Sequence, residues 1–287
     1  MKRLLALASI IIIGHSAWAQ FDVFGNRVPK SGRHVEKSVN LPDKPNEVDE
    51  NGVRQGEWAR KYANGHYAYT ATFKDGKPIG EMVRYDEKGN KTAVLNYINE
   101  SDTCTAVLYG ANEKIEAKGS YVGKTRHGKW SFFGTDGKLI SEEVYTDGML
   151  NGNQCYYHNN GQLSQVITYN MGYAQGKSYE YFSSGRVQTE CNYERGRLNG
   201  HYKVIDELSG EVAAEGEYEK GVRKGKWRMY DSFAKEYYTV EYDAVGNAKN
   251  QDEIDRRKER KMQYFEKNKS RLQDPELFKE DPMDYRP

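Results

Sequence analysis

The sequence predicts an all-β fold: an elongated antiparallel β-meander of about eight 24-residue hairpin repeats, a single-layer solenoid, followed by a C-terminal α-helix. Three observations predict it. A block of about 24 residues recurs between Asn51 and Gly246, with one anchor series at Gly56, Gly80, Cys104, Gly128, Gly152, Gly176, Gly200 and Gly225. An aromatic series about 17 residues further on runs Phe73, Tyr97, Tyr121, Tyr145, Tyr169, Tyr193, Tyr218 and Tyr242, and a mid-block series holds Gly65, Gly89, Gly137, Gly161, Gly185 and Gly210. After Gly246 the composition then shifts abruptly to Glu, Lys, Arg and Met. A fixed period of this length means an array in which each unit buries its apolar face only against its neighbours.

Within the block that starts at Gly128, an aromatic run through Trp130, Phe132 and Phe133 meets the turn signal Thr135-Asp136-Gly137. A second run follows and ends at Asp147-Gly148. Asp-Gly and Asn-Gly suit the positive φ of tight hairpin turns, and the signal returns at Asn64-Gly65, Asp75-Gly76, Asn160-Gly161 and Asn199-Gly200. Each block therefore reads as two strands, with its glycines as turn formers. Counted from the anchor, offsets 12, 14 and 16 are mostly Thr, Glu, Ser, Asn, Gln and Lys, while 11, 13, 15 and 17 hold residues such as Leu139, Ile167, Leu95 and the aromatic series. Period-two alternation gives one wet face and one packed face. With strands ~4.8 Å apart, eight such blocks span about 75 Å.

Gly123-Lys-Thr-Arg-His-Gly128-Lys-Trp130 resembles the G-x-x-x-x-G-x-W stretch of MORN repeats. The fuller pattern, Tyr-x-x-Gly-x-x-x-Gly-x-(Trp/Tyr) with a mid-block Gly, is similar to bacterial MORN-repeat variants of the YwqK type, often labelled antitoxins. The resemblance covers Asn51 to Gly246. It departs from the pattern around Cys104, where the anchor glycine is missing and the mid-block glycine is displaced to Gly110. It implies an antiparallel β array used as a binding or spacing platform.

Residues 1–19 read as an export signal: basic Lys2-Arg3, the apolar run Leu4 to Ile13, and Ala17-Trp18-Ala19 as the cleavage motif. The apolar run is shorter than the ~20 residues that span a bilayer, so no transmembrane anchor is expected. The localisation that follows is periplasmic or secreted. Residues 20–50 form an extended lead-in, 51–248 the repeat array, 249–272 a charged amphipathic helix and 273–287 an irregular acidic tail. On that helix Ile254, Met262, Phe265 and Leu272 fall near one face. Two readings of the stripe stand: it packs on the terminal hairpin and caps a sheet edge, or it docks a partner.

The chain carries 43 basic and 42 acidic residues, and nothing in it forms the basic stripe that nucleic acid requires. His127 and His201 adjoin anchors three blocks apart, about 29 Å along the array, too far to share a metal. Cys104, Cys155 and Cys191 lie at least three strand steps apart, beyond the ~7 Å Cα separation a disulfide allows, so free thiols are expected. No P-loop, Rossmann or nucleophile motif occurs. Neither a cofactor nor catalytic residues are expected. The function expected is a non-catalytic protein–protein scaffold in the cell envelope, its partners unidentified envelope proteins. The alternative is binding of cell-wall glycan or another surface polymer through an aromatic ladder at Tyr145, Tyr169 and Tyr193.

Overall fold

The computed structural model describes residues 45–98 and 101–268. The export signal, most of the lead-in and the acidic tail lie outside the described residues. All strand pairings are antiparallel, and the chain is a meander of consecutive hairpins followed by one helix. It divides into two compact units: one holds the described residues up to Leu163 together with Tyr169–Gly172, and the other holds Ser164–Thr168 and Tyr173 onward.

The first unit begins with β1 (Glu47–Val48), β2 (Arg54–Lys61), β3 (Tyr67–Lys74), β4 (Lys77–Tyr85) and β5 (Lys91–Tyr97). It continues through β6 (Thr103–Tyr109), β7 (Ile115–Val122), β8 (Thr125–Phe133), β9 (Leu139–Thr146), β10 (Met149–Leu150) and β11 (Gly152–Tyr157). The strand β12 (Leu163–Asn170) follows. The second unit holds β13 (Tyr173–Tyr181), β14 (Val187–Glu194), β15 (Arg197–Ile205), β16 (Val212–Glu219), β17 (Val222–Asp231), β18 (Glu236–Tyr242) and the helix α1 (Gln251–Asn268).

Two kinds of turn alternate. The Asp147-Gly148 turn between β9 and β10 has φ of 49° and 79°, and Arg195-Gly196 has 49° and 78°. Two successive positive φ values make the tight hairpin turn whose twist matches that of the strands it joins. The mid-block glycines close longer loops: in one, the Gly134 amide bonds the Lys138 carbonyl and the Gly137 amide bonds the Gly134 carbonyl.

The anchor glycines are not turn formers, which corrects the expectation. Gly128 lies inside β8 and Gly225 inside β17, with φ of 66° and 65°. The register with the preceding strand shifts around each, between Lys118 and Ser120 and between Glu215 and Glu217. Such a bulge needs positive φ, which a residue without Cβ adopts at no steric cost. Cys104 stands in an unshifted stretch of β6, paired with Tyr97 and Tyr121, so there is no bulge at this anchor and no glycine is needed there; the register of β6 with β7 shifts only further on, between Leu108 and Tyr109. Gly110 closes the β6–β7 loop, its amide bonding the Lys114 carbonyl, but without positive φ. Its backbone is extended and the Glu116 side chain folds over it, so a Cβ there would displace the Glu116 carboxylate.

Each unit packs its own core on one face of its strands. In the first, Leu95, Cys104, Ala106, Leu108, Ala117 and Tyr121 surround Trp130, which is wholly buried. In the second, Tyr202, Val204, Ala214, Tyr218, Met229 and Val240 surround Trp227, also wholly buried.

An asparagine bonds the backbone of the first long strand, and another that of the last. On β2, the Asn46 amide bonds the Glu57 carbonyl, and its Oδ1 accepts from the Ala59 amide. On β18, Asn250 Oδ1 accepts from the Glu241 amide while its Nδ2 donates to the Thr239 carbonyl. The Lys249 amide also bonds the Glu241 carbonyl. These bonds occupy edge groups that would otherwise template another strand. Asn250 then starts α1, with the Glu253 amide bonding its carbonyl.

Candidate binding surfaces

Three blocks repeat one cluster on the packed face. The guanidinium of Arg126 lies 4.9 Å from the Trp130 ring, 5.2 Å from Phe132 and 5.5 Å from Tyr145. It also donates to the Tyr145 hydroxyl at 3.2 Å. Arg223 sits 4.8 Å over Trp227 and 5.5 Å from Tyr242, and donates to the Tyr242 hydroxyl at 2.9 Å. Arg54 lies 4.9 Å over Trp58 and 5.1 Å from Phe73. In each case Arg and Trp belong to one strand in the pattern R-x-G-x-W, and the third ring comes from the next strand. The bulge at the glycine sets the spacing that puts the cation over the indole.

The indole itself is seated on a glycine of the preceding strand. A Cβ on Gly119 would come within 2.2 Å of the Trp130 ring, and one on Gly216 within 2.3 Å of Trp227. The indole N–H is satisfied by backbone, Trp130 donating to the Ser120 carbonyl at 3.0 Å and Trp227 to Glu217 at 3.1 Å. These tryptophans are core, closed to any partner. Sequence reasoning picked out Trp130 in the G-x-x-x-x-G-x-W stretch but not the Arg. The signal for it is the R-x-G-x-W spacing at Arg54, Arg126 and Arg223.

The expected aromatic face is only half open. Tyr145, Tyr169 and Tyr193 are each half-buried; Tyr145 packs against the first core and Tyr193 against the second. Around Tyr145 the packed face turns polar. The Tyr145 hydroxyl donates to Glu143 Oε2, and Gln154, itself buried, donates from Nε2 to Glu143 Oε1 at 2.9 Å. Burial, and then the Glu143 charge, raises the phenol pKa of Tyr145, Tyr156 and Tyr169, that of Tyr156 to about 12.

The opposite face carries cross-strand ion pairs, Lys129–Glu142 at 2.6 Å, Lys177–Glu190 at 2.8 Å and Arg228–Glu215 at 3.2 Å. The bond from Lys177 holds the Glu190 carboxyl below its ordinary range. Exposed pairs of this kind contribute little to stability and mark a solvated surface.

The helix resolves the two readings of its apolar stripe residue by residue. Ile254 is 3% exposed and belongs to the second core, so it is not available to a partner; that expectation is corrected. Arg257 fixes the next turn, pairing with Asp231 at 3.1 Å, Glu236 at 3.0 Å and Glu253 at 3.2 Å while lying 4.3 Å over Tyr238. Phe265 is half-buried, and Leu272 lies outside the described residues. Met262 is 61% exposed. Sequence reasoning missed Phe233, in the β17–β18 turn, and Tyr264. Their rings meet at 4.9 Å, Tyr264 meets Phe265 at 5.9 Å, and both Phe233 and Tyr264 stay exposed.

Among the described residues, no three His, Cys, Asp or Glu side chains gather as a metal site, and no helix is long and apolar enough to cross a membrane. Residues 126–147 and 150–171 match the family model described as MORN repeat variant. No curated protein matches the chain. Among solved structures it is similar to a mutant of S. aureus TarM in complex with Fondaparinux, alpha-GlcNAc-glycerol and UDP. That likeness is 15% identical with a TM-score of 0.20, and it covers 38% of this chain and 19% of that one. At that score it carries no weight for fold or chemistry.

Proposed function

We propose that this chain, which carries MORN repeats of the variant type, is an exported, non-catalytic scaffold that docks a protein of the cell envelope through its C-terminal end. One observation carries the reading. Exposed Phe233 and Tyr264 meet ring to ring, Tyr264 meets half-buried Phe265, and Met262 is exposed elsewhere on the same helix, which Ile254 and Arg257 tie to the second unit. Met262 lies one helical turn before Phe265. Aromatic and Met side chains on a fixed support lose little entropy on binding and are enriched in interface centres. MORN repeats in general mediate protein or membrane binding, which fits a repeat scaffold.

Export rests on the signal pattern of residues 1–19, and an envelope partner follows from export. The glycan alternative needs open ring faces, and the half-buried Tyr145, Tyr169 and Tyr193 do not favour it. The test is affinity capture of the tagged mature protein from its native envelope after mild crosslinking, beside a Met262→Ser, Tyr264→Ser variant. Truncation at Asn250 is the poorer comparison, because it also removes Ile254 from the core. A specific partner lost in the variant supports the reading; no partner with either protein overturns it.

A further inference from the structure

Glu143 is out of place in its column. The equivalent offset in the other blocks holds Ala71, Leu95, Gly119, Ile167, Cys191, Gly216 and Val240, all apolar or without a side chain. Ala71, Leu95, Cys191 and Val240 are buried, and Gly119 and Gly216 seat the tryptophans. A carboxylate here forgoes apolar burial and must be held by hydrogen bonds. The bonds are present: Gln154 holds one oxygen and Tyr145 the other. Gln154 occupies the offset that carries Trp58, Trp130 and Trp227 in other blocks, and Leu150 occupies the offset that carries Arg54, Arg126 and Arg223. The block next to the Arg126 cluster thus has neither a cation nor an indole of its own at these offsets. It holds instead a half-buried carboxylate whose charge acts on the half-buried phenols Tyr156 and Tyr169. Among the described residues no basic side chain forms an ion pair with Glu143.

We infer that Glu143, with Tyr145, Gln154, Tyr156 and Tyr169, is a binding site for an arginine side chain presented by a partner protein. This deepens the scaffold reading and rests on it for the kind of partner. The fold itself shows the complementarity. At Arg54, Arg126 and Arg223 the same face takes a guanidinium group over aromatic rings, and at the latter two also against a phenol oxygen. A carboxylate has about four lone-pair sites, so two bonds within the chain leave acceptor capacity for a planar guanidinium fork. Arginine suits such a site better than lysine because it also stacks on rings.

The test is an NMR titration of the isotope-labelled mature protein with the peptide acetyl-Gly-Arg-Gly-amide, and with the same peptide carrying neutral citrulline in place of arginine. The Gln154 side-chain amide and the Trp130 indole N–H are the reporters. The expected result is saturable shifts at both with the arginine peptide and at least tenfold weaker binding of the citrulline peptide. Glu143→Gln, which keeps the shape and the bond to Tyr145, should abolish the response, whereas Glu142→Gln on the opposite face should leave it unchanged. No shifts with the arginine peptide, equal response to citrulline, or an unchanged response in Glu143→Gln would each overturn the site. These outcomes read a defined peptide, so they separate from failure of the scaffold reading, which is read by capture through the C-terminal helix.

Discussion

Gly216 is the seat of Trp227: a Cβ built on the glycine would fall 2.3 Å from the indole, whose N–H meanwhile donates to the neighbouring Glu217 carbonyl. Gly119 and Trp130 repeat the arrangement in the first unit. Gly216→Ala and Gly119→Ala should each destabilise by about 3 kcal/mol, the upper end for overpacking a tight core. Gly128→Ala meets open space but sits at φ +66°, so its loss should be smaller, about 1–2 kcal/mol of backbone strain. Denaturant unfolding measures all three. In a Trp227→Ala background the cost of Gly216→Ala should vanish, because the two residues couple only through the clash.

The arginines over the tryptophans are part of the packing. Arg223→Met keeps the aliphatic stem but loses the ring contact and the bond to Tyr242. It should cost about 1–2 kcal/mol, and Arg54→Met, at an exposed position, about 0.5–1 kcal/mol. Equal losses at the two sites would contradict a burial-dependent role.

Alkaline titration should separate the half-buried phenols Tyr97 and Tyr157 from the exposed ones. Burial, and then Cys104, pushes Tyr97 up to about 12; burial, and then the bond to Glu142, does the same for Tyr157. A phenol raised in the folded state holds its proton where the unfolded chain, with its ordinary value near 10, has lost it. The stability these groups contribute is therefore complete below about pH 10 and is lost as pH rises toward 12. Tyrosinate absorbance should show these phenols ionising late, together with unfolding monitored by circular dichroism.

The thiols should be inert in the folded protein. Cys104, Cys155 and Cys191 are free, Cys104 is 1% exposed, and burial pushes the Cys191 thiol up to about 12. An aromatic disulfide reagent should label Cys104 and Cys191 only after denaturant is added, with half-buried Cys155 reacting slowly before it.

The repeat, the hairpins and the tight turns were legible because each depends on residues adjacent in sequence. Asp147-Gly148 announces its turn whatever surrounds it. The role of the anchor glycines was not legible in that way: a bulge glycine such as Gly128 and a turn glycine such as Gly137 look alike until the register of the neighbouring strand is known. The helix was visible from composition at Gln251, but whether Ile254 faced a core or a partner depended on contacts with β17 and β18. Glu143 stood out in principle, as a charge at an offset that otherwise holds apolar residues. Its partner Gln154 lies on another strand, so the pair emerges only in the folded chain.

The scaffold reading is tested most directly by site-specific photocrosslinking in the native envelope. A benzophenone amino acid is placed at Met262, and for comparison at Leu208, which is 80% exposed on a loop of the same unit. The account predicts a discrete protein adduct from position 262 and none from 208. Adducts from both positions alike, or from neither, would contradict it.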